Sequence, residues 1–273
     1  MSDRYLVVGN PIAHSRSPLI HSLFAQSCGE DIQYEARLIE IGAFVSDVDA
    51  FFATGGRGMN VTLPFKQEAF GYAGRLSDAA RCAGAVNTLS REDDGVISGD
   101  NTDGVGLVAD LRDNAGWTLA GKSVLMLGAG GAVRGVLLPL LNERPASLVI
   151  ANRTEAKAQA LADAFADRGP ISYDTYEALN RPFDLIINGT SASLVGDLPP
   201  LASSLIASST LVYDMAYGSH PTIFMQWALE HGAVEARDGL GMLVEQAAAS
   251  FCIWRGVKPE TAAVIERLRT GVE

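Results

Sequence analysis

Gly128-Ala129-Gly130-Gly131-Ala132 follows the apolar run Ser123–Leu127 and precedes a stretch of helical character. Glycines at such a junction permit a tight turn and let backbone N–H groups approach a pyrophosphate seated on the helix N-terminus. The strict three-glycine spacing fails, because Val133 stands at the third position and the next glycine is Gly135. The strand before, the helix after and the strand–helix alternation downstream still predict a dinucleotide site. The next strand, SLVIA, ends in Asn152-Arg153-Thr154. A site that binds the ribose 2′-hydroxyl of NAD usually carries an acidic residue there, about 20 residues past the first glycine. This tip has none. Arginine pairs with a 2′-phosphate, whereas a carboxylate would repel it, so the cofactor expected is NADP. Thr154 doubles as a candidate N-cap, and Lys157 adds a nearby cation.

Polar residues also gather in four short segments: His14-Ser15-Arg16-Ser17-Pro18, Asn60-Val61-Thr62-Leu63-Pro64-Phe65-Lys66, Gly84-Ala85-Val86-Asn87-Thr88 and Gly99-Asp100-Asn101-Thr102-Asp103-Gly104. All read as strand ends and loop tips, where sites are commonly built. Taken singly, Lys66 reads as a solvated lysine, and Asp103 and Ser17 read as helix N-caps. Gln246 stands out for another reason. It falls within the apolar stripe Met242, Leu243, Ala247, Ser250, Phe251 and Trp254, and a buried glutamine needs partners in the backbone or in a polar ligand.

The elements that must position these residues follow two patterns. In the first part strands and helices are mixed. Tyr5–Gly9 is a strand, Pro18 opens a helix closed by Gly29, residues 33–38 alternate as a strand, and Ala43–Ala53 is helical. Gly58–Leu63 is a strand, a short helix carries Phe65 and Lys66, and Ala85–Ser90 with Val96–Ser98 form a hairpin about Asp94-Gly95. From Lys122 regular alternation begins, with strands at Ser123–Leu127, Ser147–Ala151, Asp184–Asn188, Thr210–Asp214 and Ala233–Ala236. Repeated strand–helix units predict right-handed crossovers and a doubly wound parallel sheet. Helices at Leu240–Trp254 and from about Pro259 to Leu268 cannot extend that sheet and are expected to return to the first domain. The fold class is therefore α/β with two domains, an N-terminal α/β substrate domain (1–104 and 239–273) and a Rossmann-like NADP domain (105–238).

The formal net charge of −11 makes nucleic acid and anionic membrane surfaces poor partners. Cys28, Cys82 and Cys252 are scattered, which suggests neither a disulfide framework nor a zinc site. His14, His21, His220 and His231 have no clustered acidic or cysteine companions and read as loop or surface residues; no metal is expected. With no signal-peptide core and no apolar run near the ~20 residues that span a bilayer, the expectation is a soluble cytoplasmic protein.

GNPIAHSRSP, NVTLPFK, GAVNT, NTDG, GAGGA, NRT, YDMAY and GLGMLVEQAA, in that order, resemble the motifs of the shikimate dehydrogenase family over nearly the whole chain. NVTLPFK followed by NTDG is the most specific part. The resemblance implies reversible NADPH-dependent reduction of 3-dehydroshikimate to shikimate in aromatic amino-acid biosynthesis, with the site in a cleft between two domains. It implies that Lys66 and Asp103 are the catalytic pair. A free lysine is a poor base at neutral pH, whereas a facing carboxylate favours the charged lysine as a proton donor to a ketone. Ser15 and Ser17 match positions that bind the ring carboxylate, and Thr62, Asn87 and Asp103 match binders of the ring hydroxyls. Tyr217 matches a further substrate contact, and Gln246 is a candidate one. Thr190, Met215 and Gly239 match the nicotinamide side of the cofactor site, and Asp78 does so more weakly. The rival readings are a quinate/shikimate dehydrogenase and a non-catalytic NADP-sensing protein, and the assembly is expected to be a monomer or homodimer.

Overall fold

A computed structural model describes residues 2–271. The chain divides into two compact units, Met1–Gly106 with Val244–Glu273, and Leu107–Leu243.

The first unit is built on a six-stranded sheet of β1 (Asp3–Gly9), β2 (Ile32–Leu38), β3 (Gly56–Val61), β4 (Arg75–Leu76), β5 (Thr88–Arg91) and β6 (Ile97–Asp100), in the order β2-β1-β3-β5-β6-β4. β1 runs parallel to β2 and β3, while β5 is antiparallel to both β3 and β6. The expected hairpin forms, one to three residues later at each strand than its pattern suggested. Alternation along β3 and β5 sends their side chains to two different faces. Met59, Val61 and Leu89 join an apolar core with Phe44, Val48, Phe51 and Phe52 of α2 (Phe44–Ala53) and with Phe65. Gly58, Asn60 and Thr88 point the other way, toward α9 (Leu240–Arg255): the Asn60 and Thr88 side chains hydrogen-bond Ser250, and a Cβ at Gly58 would lie 2.4 Å from the Trp254 indole nitrogen. α10 (Ala262–Thr270) completes the unit and is joined to α9 by the Thr261 hydroxyl, 2.6 Å from the buried Glu245 carboxylate.

His21 corrects the reading of the histidines as loop or surface residues. It lies in α1 (Ser17–Cys28), wholly buried and stacked 4.1 Å from the Tyr34 ring, among Phe24, Phe251 and Trp254. Neither ring nitrogen has a hydrogen-bond partner. Burial lowers its pKa from 6.5 to about 3, against a weaker opposing pull from Asn60. The folded state therefore demands the neutral ring, while the unfolded chain takes up a proton below its ordinary value. The His21 contribution to stability is full well above pH 6.5 and is lost progressively from there down to about pH 3. Between pH 7 and pH 5 the expected loss is about 2 kcal/mol. Urea unfolding of the protein and of His21→Phe at both pH values checks this, since the variant should lack that part of the decline.

The second unit carries β7 (Ser123–Leu127), β8 (Ser147–Ala151), β9 (Ile171–Asp174), β10 (Leu185–Asn188), β11 (Leu211–Asp214) and β12 (Glu235–Asp238). All pairs are parallel, in the order β12-β11-β10-β7-β8-β9, the doubly wound arrangement with its switch point between β7 and β10. The expected strand Ala233–Ala236 forms two residues later, as Glu235–Asp238. β9 is a strand the pattern did not predict: four residues at the sheet edge, none fully buried, without the apolar run that marks the central strands.

Candidate active site

In the first unit, parallel β1 and β3 and the antiparallel β5 bring the carboxyl ends of β1, β3 and β6 and the start of β5 to one end of the sheet. Four of the polar segments follow or precede those ends. Phe65, fully buried and stacked on Phe44 at 5.4 Å, anchors the start of α3 (Lys66–Tyr72) and leaves the Lys66 side chain a quarter exposed. Its amine lies 2.6 Å from Asp103 Oδ2. Lys66 is thus not a solvated surface lysine.

Asp103 is the first residue of α5 (Asp103–Ala109), and its carboxylate does not serve as the N-cap. Asn101 Oδ1 accepts the Asp103 N–H at 3.2 Å instead, which frees the carboxylate for Lys66 and Asn87. Asn87 Nδ2 donates to Asp103 Oδ1 at 2.8 Å, and Asn87 Oδ1 accepts the Thr102 backbone N–H at 2.9 Å. Gln246 Oε1 lies 3.4 Å from the same Asn87 nitrogen. Gln246 is half-buried, not fully buried as its stripe implied, because the buried side of α9 centres on Val244, Ala247, Ala248 and Phe251.

Ser17 is likewise the first helical residue of α1, with Arg16 at the cap position, and its N–H donates to Ser15 Oγ at 3.3 Å. Thr62 lies at the end of β3 against β1, where a Cβ on Gly9 would sit 2.5 Å from its methyl group. Asp78 begins α4 (Asp78–Ala83); its side chain is 69% exposed and pairs with Arg81.

In the second unit, Gly128 (φ 104°) ends β7 in a conformation that favours glycine, and α6 (Gly131–Asn142) starts three residues later. A Cβ on Gly130 or Gly131 would meet nothing within 4 Å, so the turn is open on the side where a phosphate would approach. The absent third glycine has a structural replacement. Val133 is fully buried, and its methyl group occupies the space above Gly189, where a Cβ would lie 2.5 Å away. Close packing here is provided by a glycine on the strand-end loop rather than on the helix.

At the tip of β8, Asn152 Nδ2 donates to the Thr154 carbonyl at 2.9 Å, while Arg153, Thr154 and Lys157 are exposed. Thr154 occupies the cap position of α7 (Glu155–Ala164), but its side chain makes no cap hydrogen bond. Thr190, Met215 and Gly239 follow the adjacent strands β10, β11 and β12. Gly239 admits no side chain, since a Cβ would lie 2.2 Å from the Met215 carbonyl oxygen. Tyr217, two residues beyond Met215, is 40% exposed.

Two polar strand ends, Asn188 and Asp214, join the site edge without having been candidates by chemistry. Asp214 is wholly buried and accepts from Asn188 Nδ2 (3.2 Å), the Ala216 N–H (3.0 Å), Ser193 Oγ (2.6 Å) and Oγ1 of Thr222 (2.7 Å), the N-cap of α8 (Ile223–Glu230). Asn188 Oδ1 in turn holds the Thr190 hydroxyl at 2.7 Å. The signal was a lone polar residue closing each of the apolar runs LIIN and LVYD. Asp214→Ala takes away an acceptor shared by four donors, of which Asn188 Nδ2 keeps Ser193 Oγ as a partner, and is expected to lower unfolding free energy by about 2 kcal/mol. Urea denaturation measures it, and an unchanged midpoint would remove Asp214 from its structural role.

No group of three or more histidine, cysteine or acidic side chains that could hold a metal occurs among the described residues. A doubly wound sheet, an open glycine turn and a basic second-strand tip, in a chain that also holds a Lys–Asp pair, define an NADP-dependent oxidoreductase.

Comparison with known proteins specifies the group. The chain matches the shikimate dehydrogenase substrate binding domain over residues 7–89, shikimate / quinate 5-dehydrogenase over 110–196, and the shikimate 5′-dehydrogenase C-terminal domain over 239–269. It is 55% identical over 270 residues to the shikimate dehydrogenase (NADP(+)) of Cellvibrio japonicus, covering 98% of each chain. Among solved structures, an Ael1 enzyme from Pseudomonas putida superposes with a TM-score of 0.94 at 49% identity, covering 98% of each chain. The shikimate 5-dehydrogenase of Thermus thermophilus, in complex with NADP(H) and shikimate, gives 0.88 at 32% identity over 99% of this chain and 100% of that one. The chain belongs to the shikimate dehydrogenase family.

Proposed function

We propose that this protein catalyses the reversible NADPH-dependent reduction of 3-dehydroshikimate to shikimate in aromatic amino-acid biosynthesis. The observation that carries this reading is the Lys66–Asp103 contact of 2.6 Å, with Asn87 on the second carboxylate oxygen. Donors on both oxygens suit an ionised carboxylate, which leaves the proton of the pair on the Lys66 amine. In the reductive direction Lys66 gives that proton to the ketone oxygen as charge develops there, and in reverse it recovers it from the alcohol. Bound NADPH supplies the hydride. Ser15 and Ser17 hydroxyls bind the ring carboxylate, and Thr62, Asn87, Asp103 and Gln246 bind ring hydroxyls, with Tyr217 as a further contact.

Residues 1–104 with 239–273 serve the substrate and residues 105–238 the cofactor. The Gly128–Ala132 turn takes the pyrophosphate. Asn152, Arg153, Thr154 and Lys157 hold the 2′-phosphate, and Thr190, Met215 and Gly239 flank the nicotinamide. Asp78 is the weakest member of this set, being tied to Arg81. No helix among the described residues is long and apolar enough to cross a membrane. This reading makes the protein a cytoplasmic enzyme, monomeric or homodimeric.

The test is an absorbance assay of the purified chain with shikimate or quinate and with NADP+ or NAD+. The expected outcome is at least tenfold higher kcat/KM for shikimate with NADP+ than for any other pairing. A preference for NAD+ would refute the cofactor assignment, and equal use of quinate would select the broader quinate/shikimate reading. An NADP-binding chain inert toward both acids would be a sensor, a role with no use for the Lys66–Asp103 pair.

A further inference from the structure

The face of the first sheet opposite its apolar core carries a continuous line of hydrogen bonds that ends on Asp103. The Tyr34 hydroxyl donates to Asn60 Oδ1 at 2.7 Å. That fixes the Asn60 amide, whose nitrogen then faces Ser250 Oγ at 3.0 Å, Thr88 Oγ1 at 3.2 Å and the Asn87 carbonyl oxygen at 3.2 Å. Thr88 and Ser250 are 1% and 0% exposed, and their hydroxyls lie 2.8 Å apart. Ser250 also reaches Thr102 Oγ1 at 3.2 Å and the Gln246 carbonyl at 3.1 Å. The Thr88 hydroxyl donates to Asn87 Oδ1 at 2.8 Å, beside the Thr102 N–H on the same oxygen.

The arrangement matters because of the Asn87 amide. Rotation about its last side-chain bond is soft, with no sharp intrinsic minimum. Its nitrogen has three acceptors within reach for two protons: Asp103 Oδ1 at 2.8 Å, Thr102 Oγ1 at 2.9 Å and Gln246 Oε1 at 3.4 Å. The Thr102 N–H takes one lone pair of Asn87 Oδ1, and for the other the Thr88 hydroxyl at 2.8 Å lies closer than the Thr102 hydroxyl at 3.2 Å. The Thr88 proton fills that lone pair and turns the nitrogen toward Asp103. Ser250, from α9, holds Thr88 where it must be.

We propose that Thr88 and Ser250 form a buried hydroxyl clasp that positions Asn87, and through it the Asp103 carboxylate facing Lys66, for proton transfer. Neither residue reaches the reacting atoms; both are positioning residues. This inference rests on the reaction proposed above.

Three variants test it in the intact chain: Thr88→Val, which keeps the shape and loses the hydroxyl, Thr88→Ser, which keeps the hydroxyl, and Ser250→Ala. Thr88→Val is expected to lower kcat for shikimate oxidation about tenfold, the worth of one hydrogen bond in a buried network, with KM for NADP+ unchanged. The solvent deuterium isotope effect on its kcat should rise, because misaligned proton transfer becomes a larger share of the barrier. Thr88→Ser should recover kcat to within about threefold, the remainder being slack in a hydroxyl without its methyl group. Wild-type kcat and isotope effect in Thr88→Val overturn the clasp, as does a loss in Thr88→Ser equal to that in Thr88→Val, which would assign the effect to packing. If Thr88→Val does not fold, Ser250→Ala decides: a lowered kcat with the same rise in isotope effect supports the clasp, and wild-type values of both overturn it. No turnover of shikimate by the unsubstituted chain overturns the reaction reading and the clasp with it, whereas wild-type behaviour of Thr88→Val in an active background overturns the clasp alone.

Discussion

Replacing Lys66 with alanine is expected to lower kcat for shikimate oxidation roughly 10²- to 10⁴-fold, the range of a lost general acid–base group. KM for NADP+ should stay within about threefold, since an interaction made chiefly in the transition state is lost from kcat and not from cofactor binding. Stability gives the contrast. The Lys66 and Asp103 side chains are 25% and 14% exposed, so water still reaches the carboxylate when its partner is gone. Asn87 continues to donate to Asp103 Oδ1, which limits the disturbance to one oxygen. The variant should therefore fold and bind cofactor while failing in chemistry. Steady-state kinetics together with NADP+ titration by fluorescence separate these effects. Turnover within tenfold of the unsubstituted protein would remove Lys66 from the proton path.

How far such a site can be read from sequence depends on how far its parts lie apart along the chain. The doubly wound sheet was legible, because β7, β8, β10 and β11 are buried on both faces and each writes that as a run of three or four apolar residues. β9 was not, since an edge strand flanked by Gly169-Pro170 has only one covered side to record. Only spacing marks His21 as buried: it stands four residues after Ser17 and three before Phe24, both on the buried side of α1. The candidate residues were reached through motifs, whereas the bonds that orient them join distant positions. Ser250 could be placed on the apolar stripe of α9, but its partners Asn60 and Thr88 lie 190 and 162 positions away, and no local pattern encodes that meeting. The third-glycine gap is the same lesson in packing. Val133 looked like a defect in the turn until Gly189, on a different strand end, proved to make room for it.

Arg153→Asp is expected to lower kcat/KM for NADPH roughly 100- to 1000-fold while leaving kcat/KM for NADH unchanged or raised. The change replaces a charge-assisted contact to the 2′-phosphate with a repulsive one, and swings of about 3–4 kcal/mol are the scale of exchanging attraction for repulsion at a phosphate. Three features make this position decisive. Arg153 is exposed at the carboxyl end of β8, so it loses little packing when replaced. Its charge also opposes the burial that raises the Tyr176 hydroxyl, which puts the guanidinium near the tip of the neighbouring strand. An acidic side chain at this tip is what an NAD site uses to hold the 2′-hydroxyl. Lys157, one turn into α7, remains as a second cation and sets the lower end of the range. The loss should fall on KM, because the phosphate is remote from the reacting carbon and is bound alike in ground and transition states. Adding Lys157→Ala should deepen the NADPH defect by a further factor of about ten without touching the NADH rate. Kinetics with both cofactors across a range of ionic strength check the whole argument: attraction between charges weakens with salt, so the preference of the unsubstituted protein for NADPH should narrow as salt rises. Equal losses with NADPH and NADH would instead mean that Arg153 shapes the loop and does not read the phosphate.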